Sequence, residues 1–180
     1  MTNTLYLVRH CQTSGQERDA PLTAQGYEQA EHLAGFLDSK SVRRIVSSPF
    51  RRAQESIAPF SALRGIPVTL DERLCERVLS GTNRDDWREK LATSFADKDA
   101  CLDGGESSNA AMERGVVAVM EAWRGDGATV VVTHGNLLTL ILHHFNPAIG
   151  FNDWSRLTNP DIFALTRDAE RVQTVRLTAH

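Results

Sequence analysis

The sequence of 180 residues has few cysteines, no long apolar run and no block of charge of one sign. Cys11, Cys75 and Cys101 lack CxxC spacing, so we expect reduced thiols, as in a cytoplasmic protein. The apolar runs have strand length and the first residues lack a signal-peptide pattern, which argues against a membrane protein. A net charge of −3 provides no basic surface for nucleic acid. We therefore expect neither nucleic acid nor a membrane as a partner.

The remaining composition is typical of a soluble globular domain. Hydrophobic residues make up 41% of the chain and charged residues 24%. A chain of this length buries a substantial core as one domain, and no linker, repeat or low-complexity segment divides it. The sequence predicts a single domain over residues 1–180 and leaves the oligomeric state open.

Two apolar runs, far apart in the sequence, each end at a histidine. Leu5–Val8 is followed by Arg9 and His10, and Thr129–Thr133 is followed by His134. Continuous apolar runs are typical of strands buried on both faces of a parallel sheet. In open α/β sheets the ligand crevice lies beyond the carboxyl ends of the strands. The sequence therefore predicts that these side chains meet in one site.

Strand and helix patterns alternate along the chain. Beyond the first run, strands are predicted at 42–46, 66–70 and 129–133, with a C-terminal hairpin of 161–166 and 171–177. Helices are predicted from about residue 23, after 48–49, from about 84, after 107 and after 134. The alternation predicts an α/β fold: a three-layer α/β/α sandwich with a mostly parallel central sheet.

Ser48-Pro49 is typical of a helix start, with Ser48 as the N-cap and Pro49 as the first helical residue. This places Arg51 and Arg52 in the first turn, where the backbone N–H groups favour an anion. Planar guanidinium groups suit phosphate oxygens, whereas a solvated helix face is the alternative interpretation of two adjacent arginines.

The other histidines do not indicate a metal site. His143 and His144 are adjacent, so they do not share a helical face, and no further ligands follow at zinc spacing. We expect these two to be structural or exposed and His32 to be solvated. No metal site and no cofactor are predicted.

Six segments match a family pattern in order. They are Leu7–Thr13 (L-V-R-H-G-x-T), Asp19–Ala30 (D-x-P-L-T-x-x-G-x-x-Q-A), Ser47–Ala53 (S-S-x-L-x-R-A), Leu74–Glu76 (L-x-E), Gly105–Ser107 (G-E-S) and Val132–Asn136 (V-S/T-H-G). Together they resemble the histidine phosphatase superfamily, the phosphoglycerate mutase-like group. The resemblance covers nearly the whole chain, and it aligns Arg52 rather than Arg51 with the phosphate-binding arginine.

The resemblance implies a role for each of eight residues. His10 would be the nucleophile that becomes phosphorylated, and Glu76 the proton donor and later the base for water. Residues implied to hold phosphate are Arg9, Arg52 and His134, and those implied to face the substrate are Gln16, Gly135 and Asn136. Three departures from the family carry weight, and we interpret them as marks of a subfamily: Cys11 for glycine, Gln16 for asparagine and Ser56 for threonine.

The activity implied is metal-independent hydrolysis of a small phosphomonoester through phosphohistidine. One alternative is a cofactor-dependent phosphoglycerate mutase, whose family members carry E-R-x-Y-G after the glutamate, a basic insertion and a longer tail. Here Glu76-Arg77 is followed by Val78–Gly81 without tyrosine. The other alternative is a non-catalytic phosphate-binding regulatory domain. Specificity would come from a substrate-covering segment at about 78–103.

Overall fold

The computed structural model describes residues 3–168 and 171–177. The strands of this part are β1 (Thr4–Arg9), β2 (Val42–Ser47), β3 (Val68–Leu70), β4 (Ala128–Thr133), β5 (Asp161–Arg167) and β6 (Val172–Leu177). The helices are α1 (Ala24–Asp38), α2 (Arg51–Arg64), α3 (Trp87–Ala96), α4 (Ser108–Ala122), α5 (Gly135–Phe145) and α6 (Phe151–Trp154), with a short 3₁₀ helix at Glu72–Leu74.

All six strands form one sheet, in the order β3-β2-β4-β1-β5-β6. The pairs β1–β4, β2–β4 and β2–β3 are parallel, whereas β5 is antiparallel to both β1 and β6. β5 alone therefore opposes the direction of the other five strands. Arg9 is paired with Thr133 in the register of β1 and β4, so the residues that follow both strands leave the sheet side by side.

The sheet is covered on both faces, because neighbouring residues of its inner strands are buried on opposite sides. Helices α4 and α5 pack on the side of Leu5, Leu7, Val131 and Leu165. Helices α1 and α2 pack on the side of Tyr6, Val8, Val130 and Ile162. Each fully buried Leu, Ile or Val contributes roughly 1.5–3 kcal/mol relative to exposure. The predicted three-layer α/β/α fold with a mostly parallel sheet is confirmed.

Several local predictions are wrong or shifted. Ser48 is not an N-cap: α2 begins at Arg51, and Phe50 holds the cap position without a side-chain bond. The Ser48 hydroxyl contacts the ring of His134 instead. The apolar spacing of α1 also predicts a buried Tyr27, which is instead 45% exposed, whereas Gly26 beside it is buried.

Other element boundaries move by two or three residues. Helix α3 begins at Trp87 rather than at about residue 84, and β3 begins at Val68 rather than at residue 66. The two hairpin strands are present, whereas Ala169 and Glu170 of the predicted turn lie outside the described residues. Within 3–168 and 171–177, no helix has the length and apolar character needed to span a membrane.

Candidate active site

Two histidines meet where β1 and β4 end. The His10 N–H donates to the carbonyl of Thr133 at 3.0 Å, which ties the exit of β1 to that of β4. The imidazole rings of His10 and His134 lie edge to face, with their centroids 5.2 Å apart. Both side chains are buried. The structure thus brings together the two strand-end histidines that the sequence singles out.

The His10 ring has a defined tautomer. Its Nδ1 lies 2.7 Å from the carbonyl oxygen of Cys11, and because a carbonyl only accepts, Nδ1 carries the proton. Its Nε2 is therefore unprotonated and accepts from Nε of Arg52 at 3.3 Å. Burial lowers the pKa of His10 to about 3, and the charges of Arg52 and Arg9 act in the same direction. His10 is a neutral imidazole with its nucleophilic lone pair directed at a guanidinium group.

Arg52 is fixed inside the site and Arg51 points away from it. Arg52 is 1% exposed, and its Nη1 donates to the carbonyls of Gln16 at 3.1 Å and Glu17 at 2.8 Å. The side chain of Arg51 is 52% exposed and pairs with Glu55 at 2.7 Å. Two adjacent arginines in one helical turn thus have different surroundings.

Arg9, the last residue of β1, is held by the segment that follows α6. Its Nη1 donates to the carbonyls of Leu157 at 3.2 Å and Thr158 at 3.3 Å. Its buried Nε has no hydrogen-bond partner among the described residues. Gly135 permits this placement, because a Cβ there would lie 3.2 Å from Nε of Arg9. Burial lowers the pKa of Arg9, and the nearby charge of Glu76 opposes that shift.

His134 is fully buried between Ser48 and Phe50. Its Nε2 lies 2.8 Å from the Ser48 hydroxyl, and the Phe50 ring packs against it with centroids 4.8 Å apart. Its buried Nδ1 has no partner within the described part of the chain. Burial lowers the pKa of His134 well below its usual value, and the charge of Arg52 acts in the same direction.

Glu76 lies at the N-terminus of α5. Its Oε1 accepts from the backbone N–H groups of Leu137 at 2.9 Å and Arg77 at 3.0 Å, and its Oε2 accepts from Asn136 at 3.0 Å. A carboxylate is favourable at this position, since the first N–H groups of a helix lack partners within the helix. The backbone thereby fixes the carboxylate beside the strand end that carries His134.

The three residues implied to face the substrate have different environments. The Gln16 side chain is exposed, and only its backbone carbonyl contacts Arg52. Gly135 is the first residue of α5 and packs against Arg9. Asn136 is 7% exposed, and its buried Oδ1 has no hydrogen-bond partner among residues 3–168 and 171–177.

The start of α1 holds the loop that carries Gln16. Thr23 caps the helix by accepting from the N–H of Gly26 at 3.0 Å. The Gln29 side chain accepts from the N–H of Gln12 at 2.8 Å. The loop crosses Gly26 so closely that a Cβ there would lie 2.0 Å from the Gln12 carbonyl oxygen. Thr23, Gly26 and Gln29 of this sequence pattern thus each have a structural role.

Two positions that depart from the family pattern join the nucleophile to Arg52. The Ser56 hydroxyl accepts from the N–H of Cys11 at 2.8 Å and donates to the carbonyl of Arg52 at 2.6 Å. Cys11 is completely buried, and burial raises the pKa of its thiol to about 11. The Cys11 side chain therefore packs in the core as a neutral thiol.

Sequence reasoning missed two residues that contact the site. The Ser48 hydroxyl bonds to His134, and Nδ2 of Asn159 donates to the backbone carbonyl of His10 at 2.8 Å. The Asn159-Pro160 pair is a turn signal in the sequence. Nothing local indicates that it reaches a residue 149 positions earlier in the chain.

His32, His143 and His144 have other surroundings. Nδ1 of His143 bonds to the carbonyl of Ile149 at 2.6 Å, and His144 and His32 are exposed. Within the described ranges, no three His, Cys, Asp or Glu side chains are grouped closely enough to hold a metal ion.

The mixed sheet, with two histidines and two arginines at its carboxyl edge, has the α/β fold of the phosphoglycerate mutase-like class. A model of the histidine phosphatase superfamily (branch 1) matches residues 5–180, so the chain belongs to that superfamily. The family predicted from the six sequence segments, and with it the phosphatase class of enzyme, is confirmed.

Three relatives illustrate the range of the family. A Hydrogenobacter thermophilus protein named as a phosphoserine phosphatase is 40% identical over 79 residues, which are 40% of this chain and only 39% of that protein. A Salmonella choleraesuis protein named as a phosphoglycerate mutase is 26% identical over 171 residues, 84% of this chain and 77% of that protein. The solved structure of mycobacterial glucosyl-3-phosphoglycerate phosphatase has a TM-score of 0.76 at 25% identity, covering 98% of this chain and 97% of that one.

Proposed function

We propose that this protein hydrolyses small phosphomonoesters without a metal ion, through a phosphohistidine intermediate on His10. The observation that carries the proposal is the state of the His10 ring, whose proton lies on Nδ1 while Nε2 is directed at Arg52. An imidazole in this state is a nucleophile, and the adjacent guanidinium group would bind the phosphoryl oxygens. Phosphate would displace the contact between Arg52 and Nε2, leaving the lone pair free to attack.

The first step transfers the phosphoryl group to the protein. Nε2 of His10 forms a bond to phosphorus as the bond from phosphorus to the ester oxygen breaks in line. Arg9, Arg52 and His134 hold the equatorial oxygens, where charge concentrates in the transition state. Glu76 in its protonated form gives its proton to the departing alcohol. The products are a free alcohol, phosphohistidine and the Glu76 carboxylate.

The second step returns the enzyme to its starting state. The Glu76 carboxylate takes a proton from a water molecule whose oxygen attacks phosphorus. The bond from phosphorus to Nε2 then breaks, releasing inorganic phosphate and a neutral His10. Three backbone N–H groups hold this carboxylate in place, and its charge opposes the lowering of the pKa of both Arg9 and Arg52, as expected for a group close to the phosphate site.

The segment of residues 78–103 is proposed to cover the substrate and select it. Its helix α3 packs on α6, with the Trp87 and Trp154 rings 6.0 Å apart and the Phe95 and Phe151 rings 6.3 Å apart. Helix α6 leads directly to the carbonyls that hold Arg9. A substrate contacting α3 would therefore lie close to the phosphate-binding arginines. The names of the relatives include phosphoserine and a glucosyl phosphoglycerate, both small phosphomonoesters.

A phosphoglycerate mutase is the second candidate, because the Salmonella choleraesuis relative carries that name. The sequence Val78–Gly81 after Arg77 lacks the tyrosine of the mutase pattern and contains no basic residue. A mutase has to protect phosphohistidine from water and hold a second anionic group of its substrate, which requires additional cations. The hydrolase is therefore the favoured proposal.

Hydrolysis of p-nitrophenyl phosphate tests the proposal directly. We expect the wild-type protein to release phosphate after exhaustive chelation, His10→Ala to be inactive and His32→Ala, which removes an exposed histidine, to retain activity. A loss that zinc or magnesium restores would contradict metal independence. Full activity in His10→Ala would overturn the mechanism, and a wild-type protein that binds phosphate without turnover would establish the non-catalytic alternative.

A further inference from the structure

An arginine that the proposed chemistry does not use forms a fork with a carboxylate next to the site. Arg114 of α4 donates from Nε to Oε1 of Glu106 at 2.7 Å and from Nη2 to Oε2 of Glu106 at 2.8 Å. Both side chains are 24% exposed. A bidentate pair of this kind fixes the plane of the guanidinium group, so the direction of the remaining nitrogen is also fixed.

That remaining nitrogen, Nη1, bonds to the backbone immediately before Glu76. Nη1 of Arg114 donates to the carbonyl of Arg73 at 2.6 Å and to the carbonyl of Cys75 at 2.9 Å. The Cys75 carbonyl belongs to the peptide group that joins Cys75 to Glu76. Arg114 therefore holds the peptide plane from which the Glu76 side chain projects.

The backbone of Glu106 bonds to the residues that follow Glu76. Its N–H donates to the carbonyl of Val78 at 2.7 Å, and its carbonyl accepts from Nε of Arg77 at 2.9 Å. Arg77 is buried and is held further by the Ser94 hydroxyl at 2.7 Å. Arg114 and Glu106 thus hold the chain on both sides of Glu76, from residue 73 to residue 78.

We propose that Arg114, locked by Glu106, is a positioning residue for Glu76, an inference that rests on the proposed function. A general acid works only when its proton lies within hydrogen-bond reach of the leaving oxygen, and a small displacement costs orders of magnitude. The N–H groups of α5 hold the Glu76 carboxylate, and the Arg114–Glu106 pair holds its backbone. Glu106 of the G-E-S segment would then have the role of holding Arg114 in place.

The leaving group provides a readout that a purely structural role would not affect. Nitrophenolate departs with little help from a proton, whereas an alkoxide requires the acid. In Arg114→Ala, kcat/KM for an alkyl ester such as propyl phosphate should fall about 100-fold, since general acid catalysis contributes about 10²–10⁴-fold. The value for p-nitrophenyl phosphate should fall less than about 5-fold. Equal losses for both esters would overturn the proposal.

Two further variants distinguish the positioning role of Arg114 from the effect of its charge and from a general loss of stability. Glu121→Gln removes an ion pair of α4 that does not involve Arg114, the 2.7 Å contact with Arg73 of the 3₁₀ helix. This variant should leave the ratio of the two kcat/KM values unchanged. Arg114→Lys keeps the charge but not the fork, so it should remain impaired on propyl phosphate. Full recovery with lysine would contradict positioning by the guanidinium group.

A second variant covers the case in which Arg114→Ala does not fold. Glu106→Gln keeps the shape of the side chain and weakens the fork, so it should show the same selective loss at smaller size, with thermal unfolding recorded in parallel. An unchanged ratio in a folded Glu106→Gln protein would count against the inference. If wild-type protein hydrolyses neither ester, the proposed function fails; if it hydrolyses both and the variants lose both equally, only the positioning role fails.

Discussion

The central residue of this site is a histidine whose surroundings keep it neutral. The pKa of His10 is lowered to about 3 mainly by burial, and its Nδ1–H is committed to the Cys11 carbonyl. Those two constraints leave Nε2 as the available nucleophile across the physiological pH range. The charges of Arg52 and Arg9 act on the same ring, and in the proposed mechanism their guanidinium groups would hold the phosphoryl oxygens beside it.

Substitution of each adjacent arginine tests the assignment of the phosphate contact. Arg52→Ala removes a buried charged contact, and we expect a loss of about 2–5 kcal/mol in transition-state binding, roughly 30- to 5,000-fold in kcat/KM. Arg51→Ala removes an exposed group paired with Glu55 and should change kcat/KM less than about twofold. Steady-state kinetics with p-nitrophenyl phosphate measure both. Equal losses would show that the assignment is off by one residue.

The lowered pKa of His10 also predicts a dependence of stability on pH. Because the folded-state pKa lies below the unfolded value of about 6.5, the unfolded chain binds the proton first as the pH falls. The free energy of unfolding should therefore decrease below about pH 6.5, by up to roughly 1.4 kcal/mol per pH unit from this group. Urea unfolding of His10→Gln between pH 7 and 4.5 should give a shallower slope than wild type. Parallel slopes would contradict a neutral buried His10.

At the scale of elements, the loop before α1 is held by close packing that glycine permits. In Gly26→Ala the new Cβ would lie 2.0 Å from the Gln12 carbonyl oxygen, so the loop carrying Gln16 has to move. We expect a loss of about 1–3 kcal/mol in stability, as for other overpacked sites, together with lower kcat/KM.

The same helix provides a control for that prediction. Gly35 of α1 has no atom within 4 Å of an added Cβ, so Gly35→Ala should raise stability by about 0.5–1 kcal/mol through helix propensity and leave kcat/KM unchanged. Thermal and urea unfolding compare the two variants. A Gly26→Ala protein as stable and active as Gly35→Ala would show that the loop does not depend on this contact.

Sequence patterns predict the elements better than the contacts between them. The apolar runs before His10 and His134 predict both strands. Because these runs are continuous, they also predict that the strands are buried on both faces of the sheet. The N-cap assigned to Ser48 is wrong because its hydroxyl contacts a ring 86 positions away, which no local pattern contains. The contact of Asn159 with His10 escapes prediction for the same reason.

At the scale of the molecule, the sheet order explains why residues from distant segments form one site. Strands β1 and β4 are neighbours although more than 100 residues separate them, and α2 and α5 begin at the same edge of the sheet. The family resemblance predicted this assembly because its motifs occur at the strand exits and helix starts. The substrate is less predictable, since the segment proposed to select it, residues 78–103, carries no motif that indicates a substrate.

The choice between hydrolase and mutase is a property of the whole chain. Both reactions pass through phosphohistidine, and they differ in whether water reaches it. Because the segment after Glu76 lacks the mutase tyrosine and a basic insertion, we expect phosphate release from monoesters and negligible interconversion of 2- and 3-phosphoglycerate, even with 2,3-bisphosphoglycerate present. Both rates should be measured on one preparation. Mutase turnover faster than hydrolysis would reverse the assignment.

The central claim, covalent catalysis by His10, is tested most directly by trapping the intermediate. Rapid acid quench of the enzyme during turnover of a labelled phosphomonoester, followed by peptide mapping, identifies the phosphorylated residue. We expect an acid-labile, base-stable phosphoryl group on the peptide that contains His10, and no label in His10→Ala. Label on another residue, or turnover by His10→Ala without a trapped intermediate, would contradict it.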